Sequence, residues 1–372
     1  MGLRVEFLNE ANLERILDLV NTVFRPETRT MYQEGPLVWL SDFFGYSVAY
    51  FDGDRPVSFV GAVPAWISLW ETQIPVILVG DVCTLPEYRG RGLASDLLNE
   101  ALSRAYADGY SIVYISGDHG LYRAAGGVDF LYATIEFKAN EDLVRKVASV
   151  VKKTSSYSVR FYFKEDYEKL FSIYMSQGIK FVRLKKHFEH LYNLYGLRDK
   201  SEFGTESIMG FSYPVMFVVE KAGTPVAYVT IGFSGGSELL TGLSLEFAGD
   251  LYAVVDGFLM SIPTYVDLFK ARGYSFDENF TVSFYATAGG YDSDIMARRL
   301  KEVVSEGVPV HPVRKVGHKF YVIIVNEDTL PLYTSSEIFL RRVLGEDAES
   351  GSVAKAIKKG RIRLPDYGFN FV

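Results

Sequence analysis

Between residues 74 and 115 the chain writes a strand, a glycine-rich turn, a helix and a second strand in direct succession. Residues 74–85 are apolar, β-branched and closed by Pro86, the pattern of a strand. Leu93, Leu97, Leu98, Ala101, Leu102 and Ala105 then recur at helical spacing, up to Asp108-Gly109, a good helix end. The apolar run 112–115 follows at once. Whatever else the chain does, it has to accommodate a strand–helix–strand unit with its glycines at the first turn.

That turn reads Arg89-Gly90-Arg91-Gly92. Glycines without Cβ atoms let backbone amides approach a ligand closely. Amides at a helix start are unpaired, and the helix dipole adds partial positive charge. Arg89 and Arg91 add full charges. The combination predicts an anion site shaped for phosphates. A dinucleotide fingerprint would need a third glycine where Ser95 stands, and the Gly-Lys-Ser/Thr signature of a P-loop is missing. The plain alternative is a tight turn carrying two solvated arginines.

Residues 82–92 resemble the pyrophosphate loop of the GCN5-related N-acetyltransferases, in its common Tyr-Arg-Gly-Arg-Gly-Leu-Ala form (residues 88–94). The likeness continues over residues 107–130, which resemble the segment after that helix in the enhanced-intracellular-survival (Eis) acetyltransferases. Ser116, Tyr122 and Gly126 fill that family's serine, tyrosine and glycine-turn places. Ala124-Ala125-Gly126-Gly127 departs from its usual aromatic and Gly-Tyr. The resemblance implies an α+β fold. A catalytic acetyltransferase domain would cover residues 1–150, a degenerate second copy 151–255, and a sterol-carrier-protein-like domain 256–372.

The element order in the first 115 residues agrees, reading β-α-α-β-β-β-α-β. The second segment repeats strands and helices in weaker form, and Gly249-Asp250 stands where an Arg-Gly loop would be. In the third, Pro263 and Thr264 read as a helix start. Asp294 to Val304 reads as a helix and Phe320 to Val325 as a strand.

Composition limits the partners. Of 372 residues, 48% are apolar, enough for sizeable cores, and the net charge of −7 argues against a general nucleic-acid binder. The single cysteine, Cys83, lies in an apolar strand, so no disulfide framework is implied and a buried core role is expected for it. Neither a signal peptide nor an apolar run of about 18 residues is read from the sequence, so a cytoplasmic protein without a membrane segment is expected. His187 and His190 stand three apart on a predicted helix, where a solvated face outweighs a metal pair, and no metal is expected.

By resemblance, the chemistry is acetyl transfer from acetyl-CoA to a primary amine. The acceptor would be a small polyamine or aminoglycoside-like molecule or a lysine side chain, and a homo-oligomer is implied. Arg89, Gly90, Arg91, Gly92, Leu93, Ala94 and Ser95 would cradle the phosphates. A backbone N–H near Val82, Cys83 and Thr84 would meet the thioester carbonyl. Tyr122 fills the place of the family's acid, and the carboxylate of Val372 that of its base. Asp42, Asp81, Asp118 and Glu136 are candidates for an acidic acceptor pocket, with His119 beside it. Trp39, Phe43, Phe44, Trp66 and Trp70 are candidate walls. The competing reading is a non-catalytic acyl-CoA-binding sensor or scaffold.

Overall fold

A computed structural model describes residues 2–35, 37–69, 72–117, 120–188, 207–208, 211–234, 239–271, 279–287 and 291–324. In chain order its first elements are β1 (Arg4–Phe7), α1 (Leu13–Phe24), α2 (Met31–Glu34), β2 (Val48–Asp52), β3 (Arg55–Leu69), β4 (Thr72–Thr84), α3 (Leu93–Ala107), β5 (Ile112–Ser116) and α4 (Gly120–Ala124). Then come β6 (Val128–Ala139), α5 (Glu141–Thr154), β7 (Tyr157–Phe161), α6 (Tyr167–Met175), β8 (Ile179–Phe181), β9 (Ser207–Ile208), β10 (Phe211–Lys221), β11 (Thr224–Ser234) and β12 (Leu239–Gly249). The last are α7 (Leu251–Ala271), β13 (Phe280–Thr287), α8 (Tyr291–Ser305) and β14 (Val313–Ile324). These elements form two compact units, and neither is contiguous in sequence.

The first unit takes Met1–Phe130, Gly178–Val182 and, among the described residues, 318–324. Its sheet runs β1-β2-β3-β4-β5-β14 and is antiparallel except for the β4–β5 pair, with β8 added against the far end of β3. The parallel pair is the strand–helix–strand unit expected from residues 74–115, with α3 as its crossover. Period-2 burial explains the layers: Val48, Val60, Ala62, Ile77, Val79, Val113 and Ile115 share a core with Leu97, Leu98, Ala101 and Ala105 of α3. On α1, Ile16, Leu19 and Val20 are buried at helical spacing. Pro26 then restricts Arg25, whose ψ of 58° has left the helix.

The second unit takes Leu131–Gln177 and Arg183–Gly317. Its sheet runs β6-β13-β12-β11-β10-β7, again antiparallel except for one pair, β12–β13, which is joined through α7. The two units therefore repeat one topology. In each, the strand beyond the parallel pair comes from the other half of the sequence. β14 pairs with β5, Phe320 opposite Ser116, while β6 pairs with β13, Glu136 opposite Ser283.

This arrangement corrects the expected start of a helix at Pro263. That residue lies inside the 21-residue α7, which also runs unbroken through positions 255 and 256, where a domain boundary was expected. A proline inside a helix costs about 3 kcal/mol. Burial of Val254, Val255, Phe258, Leu259, Ile262, Tyr265 and Val266 in the unit's core outweighs it. Residues 256–324 supply most of the crossover helix, β13, α8 and β14, while 325–372 of the expected sterol-carrier-protein-like domain lie outside the described residues. α7 is long and apolar enough to span a membrane by length and composition, against the sequence expectation, but most of its apolar side chains are consumed by this core.

Gly249 allows the turn into α7. Its φ is +111°, and a Cβ there would stand 2.2 Å from the Val226 carbonyl oxygen. Gly249→Ala is therefore expected to destabilise the second unit by at least about 2 kcal/mol. Denaturant unfolding followed by circular dichroism measures the loss.

Candidate functional site

β4 and β5 begin as partners and then part. Their parallel register covers Val76–Val79 opposite Ile112–Ile115, yet β4 continues to Thr84. The cause lies on the other side of β4. Opposite β3 the register jumps from Gly61–Gly80 to Phe59–Cys83, a bulge at Asp81 and Val82. Asp81 takes a left-handed φ of +51°, rare for a residue with a side chain. Gly61 is required beside it, since a Cβ would meet the Gly80 carbonyl oxygen at 2.9 Å. The bulge turns β4 away from β5 and opens a V.

Backbone amides then face the gap. Leu85 N–H donates to Val57 C=O on β3 at 2.9 Å. Amide directions alternate along a strand, so those of Thr84 and Val82 turn toward the side that β5 has left. Such donors match a thioester carbonyl as charge develops on it.

Below the V lies the Arg-Gly loop. Gly90 and Gly92 take φ of +76° and +77°. Gly92 is the N-cap of α3, and the first intrahelical bond runs from Asp96 N–H to Gly92 C=O at 3.0 Å. The amides of Leu93, Ala94 and Ser95 precede that bond and point out of the helix start. A Cβ built on Gly90 or Gly92 meets nothing within 4 Å, so the space above both is open. Arg89 Nε donates to Thr84 C=O at 3.1 Å, which draws the loop against the end of β4.

These parts line one cleft of about 530 Å³. Its walls are Val82, Cys83, Thr84, Arg89, Gly90, Gly92, Leu93, Ala94 and Ser95, together with Val23, Phe24, Tyr88 and Leu121. The first nine are the sequence candidates, brought together as the turn pattern required. Val23 and Phe24 escape a sequence reading because they lie on the last turn of α1, far from the loop in sequence. The remaining candidate, Arg91, is outside the lining. Its guanidinium lies 4.8 Å from the centre of the Tyr88 ring and donates to Glu87 C=O at 3.1 Å.

Cys83 is buried, and burial pushes its thiol well above the ordinary range, with the nearby Asp81 charge acting in the same direction. It stays a neutral wall at physiological pH. Tyr122, on α4, is only 2% exposed and shares a core with Val79, Leu97, Leu98, Val113 and Ile115. Its ring lies so close to Gly117 that a Cβ there would stand 3.2 Å from Tyr122 Cε2 and 3.4 Å from its Oη. The cleft is lined by its neighbour Leu121.

Of the candidates for an acidic acceptor pocket, Asp81 lies in the β4 bulge. Glu136 belongs to the second unit, where it meets Lys315 Nζ at 2.5 Å and accepts from Thr134 Oγ1 at 3.0 Å. Asp42 is exposed. Trp39 is buried and stacked on Phe59 at 5.8 Å, a core residue, whereas Trp66 stays exposed. Asp118, His119, Trp70, His190 and Val372 lie outside the described residues. His187 is buried, not on a solvated helix face, because Phe188 and Arg183 beside it also turn inward. Among the described residues no three His, Cys, Asp or Glu groups gather as metal ligands.

Residues 4–126 match the family model described as an acetyltransferase (GNAT) domain. No curated protein matches the chain. Several solved structures share its fold. One is a conserved protein of Enterococcus faecalis V583 named as a probable N-acyltransferase, at 16% identity and TM-score 0.61, over 90% of this chain and 75% of that one. A second is a GCN5-related N-acetyltransferase of Anabaena variabilis, at 12% identity and TM-score 0.57, over 87% and 73%. A third is Eis1 of Mycobacterium abscessus, at 12% identity and TM-score 0.54, over 89% and 76%.

Proposed function

We propose that this chain, whose residues 4–126 carry a GNAT domain, is an N-acyltransferase that moves an acetyl group from acetyl-CoA to a primary amine. One observation carries the reading: the open amides of α3, Gly90, Gly92 and Arg89 converge at the mouth of the V between β4 and β5. Phosphates bind at such a helix start. A pantetheine arm then extends along β4, where it takes the place of a strand neighbour that the Val82 and Thr84 amides lack.

In this reading the neutral amine attacks the thioester carbonyl. The carbonyl oxygen becomes an oxyanion held by β4 amides. Collapse expels the CoA thiolate, which takes a proton from Tyr122, and the nitrogen gives up its proton to a base. The acceptor class stays a small polyamine or aminoglycoside-like molecule or a lysine side chain, in keeping with the chain's net negative charge.

A second reading, a non-catalytic acyl-CoA-binding protein, has one observation in its favour, the burial of Tyr122. Release of free thiol from acetyl-CoA in the presence of a panel of amines separates the two. Thiol release above the no-amine rate supports transfer, whereas binding without release supports the second reading.

The cradle itself is tested by Arg89→Ala. Loss of one charged hydrogen-bonding group should weaken acetyl-CoA by about 1.5–3 kcal/mol. Isothermal titration of folded protein measures it, and unchanged affinity removes Arg89 from the phosphate site.

A further inference from the structure

Acyl transfer needs a group that takes the proton of the attacking nitrogen, and the β4 bulge carries a carboxylate. Asp81 stands two residues past Val79, the last β4 residue in register with β5. It is held at a φ of +51°. Strained backbone of this kind clusters at functional sites. Val82, whose amide faces the V, is the next residue in the chain.

The Asp81 side chain leaves the sheet on a defined side. Val60 and Ala62 point into the core beneath α3, so Gly61 between them faces the opposite side. A Cβ built on Gly61 would meet Asp81 Cβ and Phe59 Cε1, each at 3.4 Å. The Phe59 ring stacks on Trp39, whose Nε1 donates to Met31 C=O on α2 at 3.2 Å. Met31 N–H in turn donates to Asn21 Oδ1 on α1 at 3.0 Å. Asp81 therefore projects on the α1–α2 face, as does Cys83, the register partner of Phe59. Burial and then the Asp81 charge push the Cys83 thiol up, which places the carboxylate near a wall of the cleft. Asp81 itself is only half-buried.

The α3 face of the V is filled. Tyr122, Val79, Leu97, Leu98 and Ile115 pack there, and Val82 packs against them. An acyl arm lying as a strand neighbour of β4 keeps its carbonyl near the plane of the sheet, with the oxygen on the β4 amides. A nucleophile adds from above or below that plane. Packed side chains close one side, so the amine enters from the α1–α2 side, where Asp81 projects.

Resting on the acyl-transfer reading of this cleft, we propose that Asp81 is the base, holding the acceptor amine on the α1–α2 face and taking its proton. The nitrogen lone pair forms the C–N bond while the carbonyl π pair moves to oxygen. The C–S bond then breaks, the thiolate takes the Tyr122 proton, and the nitrogen proton passes to the Asp81 carboxylate. Water takes that proton from Asp81 and returns one to Tyr122. An acceptor that arrives as an ammonium first gives its extra proton to Asp81, and so to water. Acid and base thus serve from opposite faces of one sheet. The family resemblance gives the base's task to the Val372 carboxylate, which lies outside the described residues.

The test uses the full chain with Asp81→Asn and Asp81→Gly. Asparagine tolerates a left-handed φ and removes only the charge, while glycine also relieves the backbone. Circular dichroism checks folding, and isothermal titration should show unchanged acetyl-CoA affinity in both. Turnover is read as thiol release with spermidine, or with the alkylamine of the panel that the wild type uses fastest. In both variants kcat should fall by about 100-fold or more. The deficit of Asp81→Asn should narrow as pH rises toward about 10.4, where an alkylamine loses its proton unaided. Cys83, the titratable neighbour on the same face, stays protonated there because it is buried. Wild-type turnover in either variant overturns the proposal. So does a deficit that stays constant with pH, the result a packing role would give. Weakened acetyl-CoA binding in both folded variants overturns it as well, and moves Asp81 to the donor side. If the wild type binds acetyl-CoA but releases no thiol with any amine, the transfer reading itself falls, and this proposal with it.

Discussion

Gly92→Val should abolish acetyl-CoA binding while leaving most of the first unit folded. Two effects are combined at this residue. Its φ of +77° is left-handed, and a side chain there costs about 1–2 kcal/mol. The new methyl groups would project into the space where a Cβ now meets nothing within 4 Å. Gly92 lines the cleft together with Leu93, Ala94 and Ser95, so the valine should displace the ligand and spare the protein. Losing several charge-assisted hydrogen bonds together should reduce affinity on the order of 100-fold or more. Gly92→Ala separates the two effects, because it carries the same strain with far less bulk. Titration of acetyl-CoA into both variants, alongside thermal unfolding, gives the comparison. A Gly92→Val protein that stays folded and binds as tightly as the wild type would put the phosphates somewhere else.

Tyr122→Phe should lower turnover by roughly 100-fold or more while acetyl-CoA affinity stays near the wild-type value. The substitution keeps the ring that packs among Val79, Leu97, Leu98 and Ile115 and removes only the hydroxyl that approaches Gly117. Tyr122→Ala removes the ring as well, and at 2% exposure that should cost about 3–5 kcal/mol of stability. The pair distinguishes a proton donor from a packing residue. An acid is lost in both variants, whereas a packing residue leaves Tyr122→Phe active and only Tyr122→Ala impaired. Thiol release with the amine panel reads turnover, and denaturant unfolding reads stability. Normal turnover in Tyr122→Phe would return Tyr122 to the core, and a cleft that binds but does not turn over would then be the better description.

What the sequence determined by itself is the local machinery around the loop. Residues 74–115 needed only their own pattern to become β4, α3 and β5. Alternating β-branched residues, a helical repeat of leucines and alanines, and glycines at left-handed positions all act within a few residues of chain. The nine residues from Val82 to Thr84 and from Arg89 to Ser95 that line the cleft follow from that pattern, because a strand, a turn and a helix start leave them little choice of direction. α1 and β3 were legible for the same reason.

Tertiary structure decided the rest. Arg91 shares the loop with Arg89, but its guanidinium lies against the ring of Tyr88, the residue before Arg89, which is fixed through Asp52 on β2, and it stays outside the cleft lining. Val23 and Phe24 became part of the cleft only when α1 packed on the sheet. The burial of Tyr122 depends on side chains from β4, α3 and β5 together. Pro263 reads as a helix start on local propensity, and only the core around α7 keeps it inside a helix. The exchange of β6 and β14 has no local signal at all. An apolar strand pattern states that a partner is needed but does not name it, and Ser116 meets Phe320 through backbone hydrogen bonds that any sequence of suitable pattern can form. Chain direction and the packing of whole layers choose among such partners, and those are properties of the folded molecule.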